Sequence, residues 1–216
     1  MDKANLQNAN LWKSNLQNAY LRETEFQGAR FGEANLQQAD FSEANLQKAY
    51  FREAKLQGAD FTGAKLQGAH LSEAKLQGAH FGGAKLQGAV LWQSKLQKAY
   101  LQGANLQGAH LNVTNLRRAD LTEANLQGTY LNGTKLQGAI LLCTDLRNAK
   151  DFTQGCLEGE KPPLLCNVAL PNGCMVNPNR DCDCLPQVLL SRYPWRFKSV
   201  EKAKQYVDEM RRQKWE

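Results

Sequence analysis

Six cysteines, three histidines and a regular series of lysines are the residues of this 216-residue chain that could carry chemistry. Cys143, Cys156, Cys166, Cys174, Cys182 and Cys184 all lie between residues 143 and 184, near or inside the C-terminal tail. An even number in a short, loop-rich stretch is the pattern of a disulfide framework in an oxidising compartment. Six cysteines allow about 15 complete pairings, and composition and spacing choose none of them. Free thiols in a reducing compartment are the alternative. Zinc prefers closely spaced ligand pairs. The intervals from Cys156 onward are 10, 8, 8 and 2 residues and match no finger or ribbon, so no metal is assigned.

Catalysis finds little to work with. Asp40 and Asp60 are carboxylates twenty residues apart, but general acid–base chemistry also needs a pocket and a second group in reach. No cofactor motif is present. The lysines recur more tellingly, at 55, 65, 75, 85 and 95. Lys55 and Lys75 follow Glu53 and Glu73 by two residues and are expected to be partly balanced by them. Lys65 and Lys85 follow Gly63 and Gly83 and lack that local acid. Lys65, Lys85 and Lys95 are therefore the candidate basic patch for an anionic partner. The net charge is +6. Residues 1–150 hold 17 Lys and Arg against 12 Asp and Glu, and residues 151–216 hold 10 against 9, so the excess sits on the first part.

The elements that position these groups follow from a period of five. "AKLQGAHFGGAKLQGA" (74–89) places Leu76, Phe81 and Leu86 five apart. The series runs from Leu6 to Leu146, and all 29 members are Leu or Phe. On an α-helix a step of five advances the side chain by about 140° net and buries no single face. On a flat strand an odd step alternates between faces and leaves half the series in water. The chain must turn between repeats so that each central residue faces one axis, which is a solenoid. Gln follows the central residue at every second repeat, as at 7, 17, 27 and 37. Two alternating repeat types call for an even number of sides. Ala, Ser or Thr stands two places before each central residue from Ala4 onward. A side chain at a corner near the axis must be that short. Glycines such as Gly28, Gly58 and Gly68 suit turns with positive φ.

"ANLQNANL" (4–11) and "ANLQGAHL" (104–111) resemble the A(D/N)LXX signature of the pentapeptide-repeat family over residues 4–148. The resemblance implies an all-β solenoid, a right-handed quadrilateral parallel β-helix with four pentapeptides per coil. Twenty-nine repeats then make about seven coils, standing roughly 35 Å tall at about 4.8 Å per coil. Residues twenty apart would stack. Phe41, Phe61 and Phe81 would form one interior column and Phe31 and Phe51 another. His70 and His110 would share a ladder about 9–10 Å apart, too far for one metal, with His80 on the opposite wall. The family includes members that imitate DNA and bind gyrase. That needs an acidic surface, and the positive shaft argues against it.

Periodicity fails after Ala149, dividing the chain into a 1–150 β-helix and a 151–216 Cys-rich loop and helical cap. "LPNG" (170–173) is similar to the turn that closes such shafts. "LPQVLLSRYP" (185–194) predicts a short helix with Pro186 in its first turn. Val200, Ala203, Val207 and Met210 predict a helix over about 199–214 with Ser199 as N-cap. This small α-helical C-terminal cap is expected to cover the last coil, anchored by Trp195 and Trp215. The resemblance of residues 165–182 to cyanobacterial relatives implies a disulfide between Cys166 and Cys182. Cys143, Cys156, Cys174 and Cys184 remain further disulfide candidates. No stretch is long and apolar enough to span a membrane. The repeats already run at Ala4, so Leu6, Leu11 and Leu16 are expected to meet either a removed leader or a second copy in an isologous dimer. A non-enzymatic structural or protein-interaction module with an unidentified protein partner is the functional expectation, and a basic-surface binder of nucleic acid or another anion is the alternative. Nucleic acid is the less favoured partner, and a single strand in particular, because no aromatic platform accompanies the lysines. Bridged cysteines would point to periplasm or thylakoid lumen, and unbridged ones to the cytoplasm.

Overall fold

The structure, a computed structural model, describes residues 3–172, 174–175 and 177–212. Each pentapeptide contributes one paired residue, one inward residue and a corner. The paired residues form parallel bridges at a constant separation of twenty, from Asn5↔Glu25 to Tyr130↔Lys150. Each coil is held to the next by repeated backbone bonds. Leu6 N donates to Glu25 O at 2.8 Å, Glu25 N to Ala4 O at 2.9 Å and Asn8 N to Gln27 O at 2.9 Å. The corner closes on itself, with Ala9 N donating to Leu6 O at 3.1 Å. Its third residue has positive φ, 57° at Asn8, 63° at Gly83 and 59° at Val113, as a type II turn requires. Repetition of this corner makes the right-handed quadrilateral β-helix.

The central residues fill the axis. From Leu21 to Leu146 every one is at most 2% exposed, while Leu6, Leu11 and Leu16 at the lower end are only partly buried. Phe31 stacks on Phe51 with centroids 4.8 Å apart, Phe41 on Phe61 at 5.2 Å and Phe61 on Phe81 at 4.9 Å. Those spacings match the coil rise, so each ring meets its neighbour at van der Waals distance. Ser and Thr at the small position stay satisfied, as Ser94 and Thr114 both donate to Leu91 O at 2.7 Å.

The pentapeptide pattern stops at Ala149, but the pairing continues at a longer interval. β1 (Ile140–Leu142) and β2 (Leu164–Cys166) are parallel with Ile140 opposite Leu164, and Asp145 pairs with Ala169. The separation has grown to twenty-four. The added length forms an excursion containing the 3-10 turn Gln154–Leu157, which swings Leu157 into the core at 0% exposure. Leu157, Leu165 and Val168 cover the upper end of the axial column.

α1 (Leu185–Arg192) and α2 (Val200–Arg211) follow, with Pro186 in the first turn of α1 and Ser199 accepting from Lys202 N at the start of α2. They lean on the side of the shaft, because their apolar residues cluster with the outward-facing Ile140, Leu142 and Cys143. The anchoring aromatics differ from expectation. Trp195 is 65% exposed, whereas Tyr193 and Phe197 are buried at 4% and 6%. Gly173, Lys214 and Trp215 lie outside the described residues.

Candidate interaction surface

A filled axis leaves the chemistry to four flat walls. Each is a ladder of paired residues twenty apart. The Asn5 wall continues through Glu25, Asn45, Lys65, Lys85, Asn105, Asn125 and Asp145. The Asn10 wall runs through Arg30, Tyr50, His70, Val90, His110, Tyr130 and Lys150. The Asn15 wall carries Asn35, Lys55, Lys75, Lys95, Asn115 and Lys135. The Tyr20 wall carries Asp40, Asp60, His80, Tyr100, Asp120 and Ile140.

Lys65 and Lys85 are neighbours on the Asn5 wall, but Lys95 belongs to the Asn15 wall on the opposite side. A difference of ten residues is half a coil, so the three do not form one patch. Lys95 instead stacks with Lys55 and Lys75. Glu53 and Glu73 do not pair with those lysines. Arg52 takes both, at 3.3 Å and 3.1 Å, because it shares their corner.

His70 and His110 flank Val90 on one wall, and His80 sits on the other side between Asp60 and Tyr100. Each histidine stacks on a tyrosine one coil away: Tyr50–His70 at 4.8 Å, His80–Tyr100 at 4.6 Å and His110–Tyr130 at 4.5 Å. Among the described residues no group of three or more His, Cys, Asp or Glu side chains is placed to hold a metal. Asp40 and Asp60 are turned to their own corners, accepting from Ser42 N at 2.9 Å and Thr62 N at 2.8 Å.

Cys166 and Cys182 are bridged, with Cα atoms 4.9 Å apart, tying β2 to the approach to α1. Cys143, Cys156, Cys174 and Cys184 carry free thiols. Cys143 donates to Met210 O at 2.8 Å and accepts from Asn167 Nδ2 at 3.3 Å, and burial pushes its thiol up. Burial, then the neighbouring Asp181, raises Cys184 as well. Neither is an activated nucleophile.

Sequence reasoning missed a polar latch between cap and shaft. Tyr193 donates its phenol to Asp120, which also accepts from Gln102 Nε2 at 2.8 Å and from Thr122 N at 2.9 Å. Burial raises the Tyr193 phenol, and the Asp120 charge adds to the effect. Tyr206 reaches Glu123 Oε1 at 3.2 Å and is pushed up to about 12, chiefly by burial. Arg192 donates to the carbonyls of Arg118 and Gly138, both at 3.4 Å. A concavity of about 790 Å³ lies at this junction, where Arg117, Arg118, Lys161 and Arg192 face Glu158 and Glu160.

A second overlooked feature is aromatic. Trp12, Tyr50, Trp92 and Val113, four of the seven exposed large apolar side chains among the described residues, lie on the Asn10 wall or its corner. Trp12 and Trp92 are eighty residues apart in the sequence and four coils apart in one column, so the signal lay in multiples of twenty.

The four-sided repeat and its chemistry coincide with the family signature. The family model for pentapeptide repeats matches residues 1–38, 34–72, 74–112 and 114–150. The chain is a pentapeptide-repeat protein. Among solved structures, this pentapeptide-repeat protein is similar to HetL, involved in heterocyst differentiation regulation in Nostoc sp. strain PCC 7120. The identity is 26%, covering 79% of this chain and 84% of that one, with a TM-score of 0.33. Full-length QnrB1, a plasmid-mediated fluoroquinolone resistance protein, is 18% identical over 89% of this chain and 95% of its own, with a TM-score of 0.54, a likeness of fold. A pentapeptide-repeat protein of the Arabidopsis thaliana thylakoid lumen is 36% identical over 44% of this chain and 63% of its own, with a TM-score of 0.32. Comparison with curated proteins finds no significant match.

Proposed function

We propose that this pentapeptide-repeat protein is a non-enzymatic interaction module whose flat walls engage a protein partner. The supporting observation is the filled interior: Leu and Phe occupy the axis from Leu21 to Leu146 at no more than 2% exposure, leaving no chamber inside the shaft. Affinity capture from the source organism, repeated with wall-substituted variants, should retain a partner with the unaltered chain and lose it with one variant. Turnover in a broad hydrolase screen would overturn the reading.

A second reading concerns the Asn15 wall. Its ladder holds Lys55, Lys75, Lys95 and Lys135 with no carboxylate, and the nearby Glu53 and Glu73 are taken by Arg52. It is suited to an anionic partner, and titration with duplex DNA would then weaken steeply with salt. Binding that ignores salt, or no binding, rejects it. Imitation of DNA has no support, since residues 1–150 carry 17 Lys and Arg against 12 Asp and Glu.

The Cys166–Cys182 bridge favours an oxidising compartment, of which the periplasm and the thylakoid lumen are the two candidates. No helix among the described residues is long and apolar enough to cross a membrane. Thiol titration of the protein unfolded in denaturant without reductant should count four free thiols, the bridge accounting for the other two cysteines. Finding all six free would place the protein in a reducing compartment.

A further inference from the structure

We infer that the Asn10 wall is the partner-docking wall, and that its partner is an acidic protein segment with an apolar side chain set among its carboxylates. The inference rests on the interaction-module reading and names the wall and the chemistry that reading leaves open.

The rings on its ladder, Tyr50, His70, His110 and Tyr130, set this wall apart from the Asn15 wall, whose ladder is likewise free of carboxylates but carries no ring. The Asn10 ladder contains Arg30 and Lys150 and no carboxylate. The acidic residues on its corner are already neutralised, Glu33 by Lys13 at 3.5 Å and Glu53 and Glu73 by Arg52. Arg30 is exposed and has no ion pair among the described residues. Trp12 is 56% exposed, Tyr50 45% and Trp92 42%. Tryptophan, tyrosine and arginine are the residues that dominate binding energy at protein interfaces.

A notch supplies the anchor point. Gly32 interrupts the corner column between Trp12 and Arg52, and the gap of about 550 Å³ is lined by Asn10, Trp12, Arg30, Gly32 and Tyr50. A Cβ at Gly32 would meet Trp12 Cδ1 at 3.0 Å, so the notch exists because the residue is glycine. Lys13 lies 4.0 Å from the Trp12 ring centre and holds one face of it, leaving the indole ordered before any partner arrives.

Ring orientation points the same way. Tyr50 and His70 are within 6° of parallel, and His110 and Tyr130 within 10°. Stacked along the shaft, these rings cover each other's faces and turn their edges outward. The outward ring edges of these pairs carry partial positive charge that suits carboxylates.

The test is selection of a displayed random 12-residue peptide library on the whole protein, followed by affinity measurements on synthesised winners. Enriched peptides should be acidic with an aromatic or aliphatic centre. They should bind at least tenfold more weakly to Trp12→Ala and to Arg30→Glu, and be unaffected by Lys75→Glu on the neighbouring wall. Gly32→Ala, which sets a methyl group against the Trp12 ring at the floor of the notch while retaining every charge, should also weaken them. Circular dichroism and melting of each variant establish that it folds. Acidic peptides that lose affinity only with Lys75→Glu, or winners that are neutral or basic, would overturn the assignment of wall and partner while leaving the interaction-module reading intact. A library that enriches nothing would count against both.

Discussion

Asn5 accepts a hydrogen bond from Gln7 N at 3.2 Å, and Asp60 accepts one from Thr62 N at 2.8 Å. Every Asn and Asp of the ladders, from Asn5 to Asp145, does the same for the residue two places on. The motif letter next to the central Leu thus satisfies a corner N–H that no neighbouring coil reaches, the Asx turn of short polar side chains. Where Lys, His or Tyr stands instead, that bond is given up and the wall gains a charge or a ring. The central Leu series was legible because a step of five fits neither helix nor strand. The wall chemistry was not, because Trp12, Gly32 and Arg52 become neighbours only when the chain is read in steps of twenty. Strain is also invisible in composition. Val113 is β-branched yet sits at φ 59°, where such residues are outliers. Val113→Gly should raise stability by about 1 kcal/mol, read as an upward shift in the chemical denaturation midpoint.

The cap is an element whose helices were readable and whose position was not. Ser199 and the Val200, Ala203, Val207, Met210 face locate α2, but the partner face is set by Ile140 and Leu142, apolar where other coils are polar outside. The latch between Tyr193 and Asp120 completes the seam. Tyr193→Phe removes a hydrogen bond to a carboxylate and should cost about 2 kcal/mol, with hydrogen exchange rising first in α1. The phenols of Tyr193 and Tyr206 have folded pKa values above the unfolded value near 10. Their contribution is therefore complete below about pH 10 and is lost as pH rises through the folded values. Alkaline melting of the cap between about pH 10 and 12 should flatten in the Tyr193→Phe, Tyr206→Phe double variant.

Asp145 gives the opposite window. Burial opposes its charge, but bonds from Arg147, at 2.9 Å to Oδ2, and from Gln127 outweigh that and hold the carboxyl below the usual range. Its stabilisation is complete above about pH 4, the unfolded carboxylate range, and fades as pH falls through the depressed folded value. Asp145→Asn should lose stability at neutral pH and show a shallower acid slope in urea titrations.

At the scale of the whole molecule, each coil contacts only the coils above and below, so stability approximates a sum of neighbour terms. Removing residues 54–73, one full coil in the twenty-residue register, should leave the circular-dichroism signature per residue unchanged and lower the melting temperature by only a few degrees. Removing seven residues from the same region should abolish cooperative melting, since seven is not a multiple of five and the Leu series would no longer meet the axis. The number of coils was legible in the repeat count. The enlarged last coil was not, because the four residues added between Ile140 and Leu164 carry no pattern of their own, and only Leu157 reaching the core shows where the chain goes.

The constant rise of the coils makes the shaft a graduated rule. Trp12 and Trp92 stand four graduations apart, about 19 Å at about 4.8 Å each. A helix laid along the wall advances about 5.4 Å per turn and slips half a graduation behind over that distance, as the two scales of a vernier do. An extended strand gains about 6.8 Å per pair of residues and bridges the two indoles in about six residues. Any partner that grips both indoles must therefore carry its two anchors about six residues apart if extended, or about thirteen apart if helical.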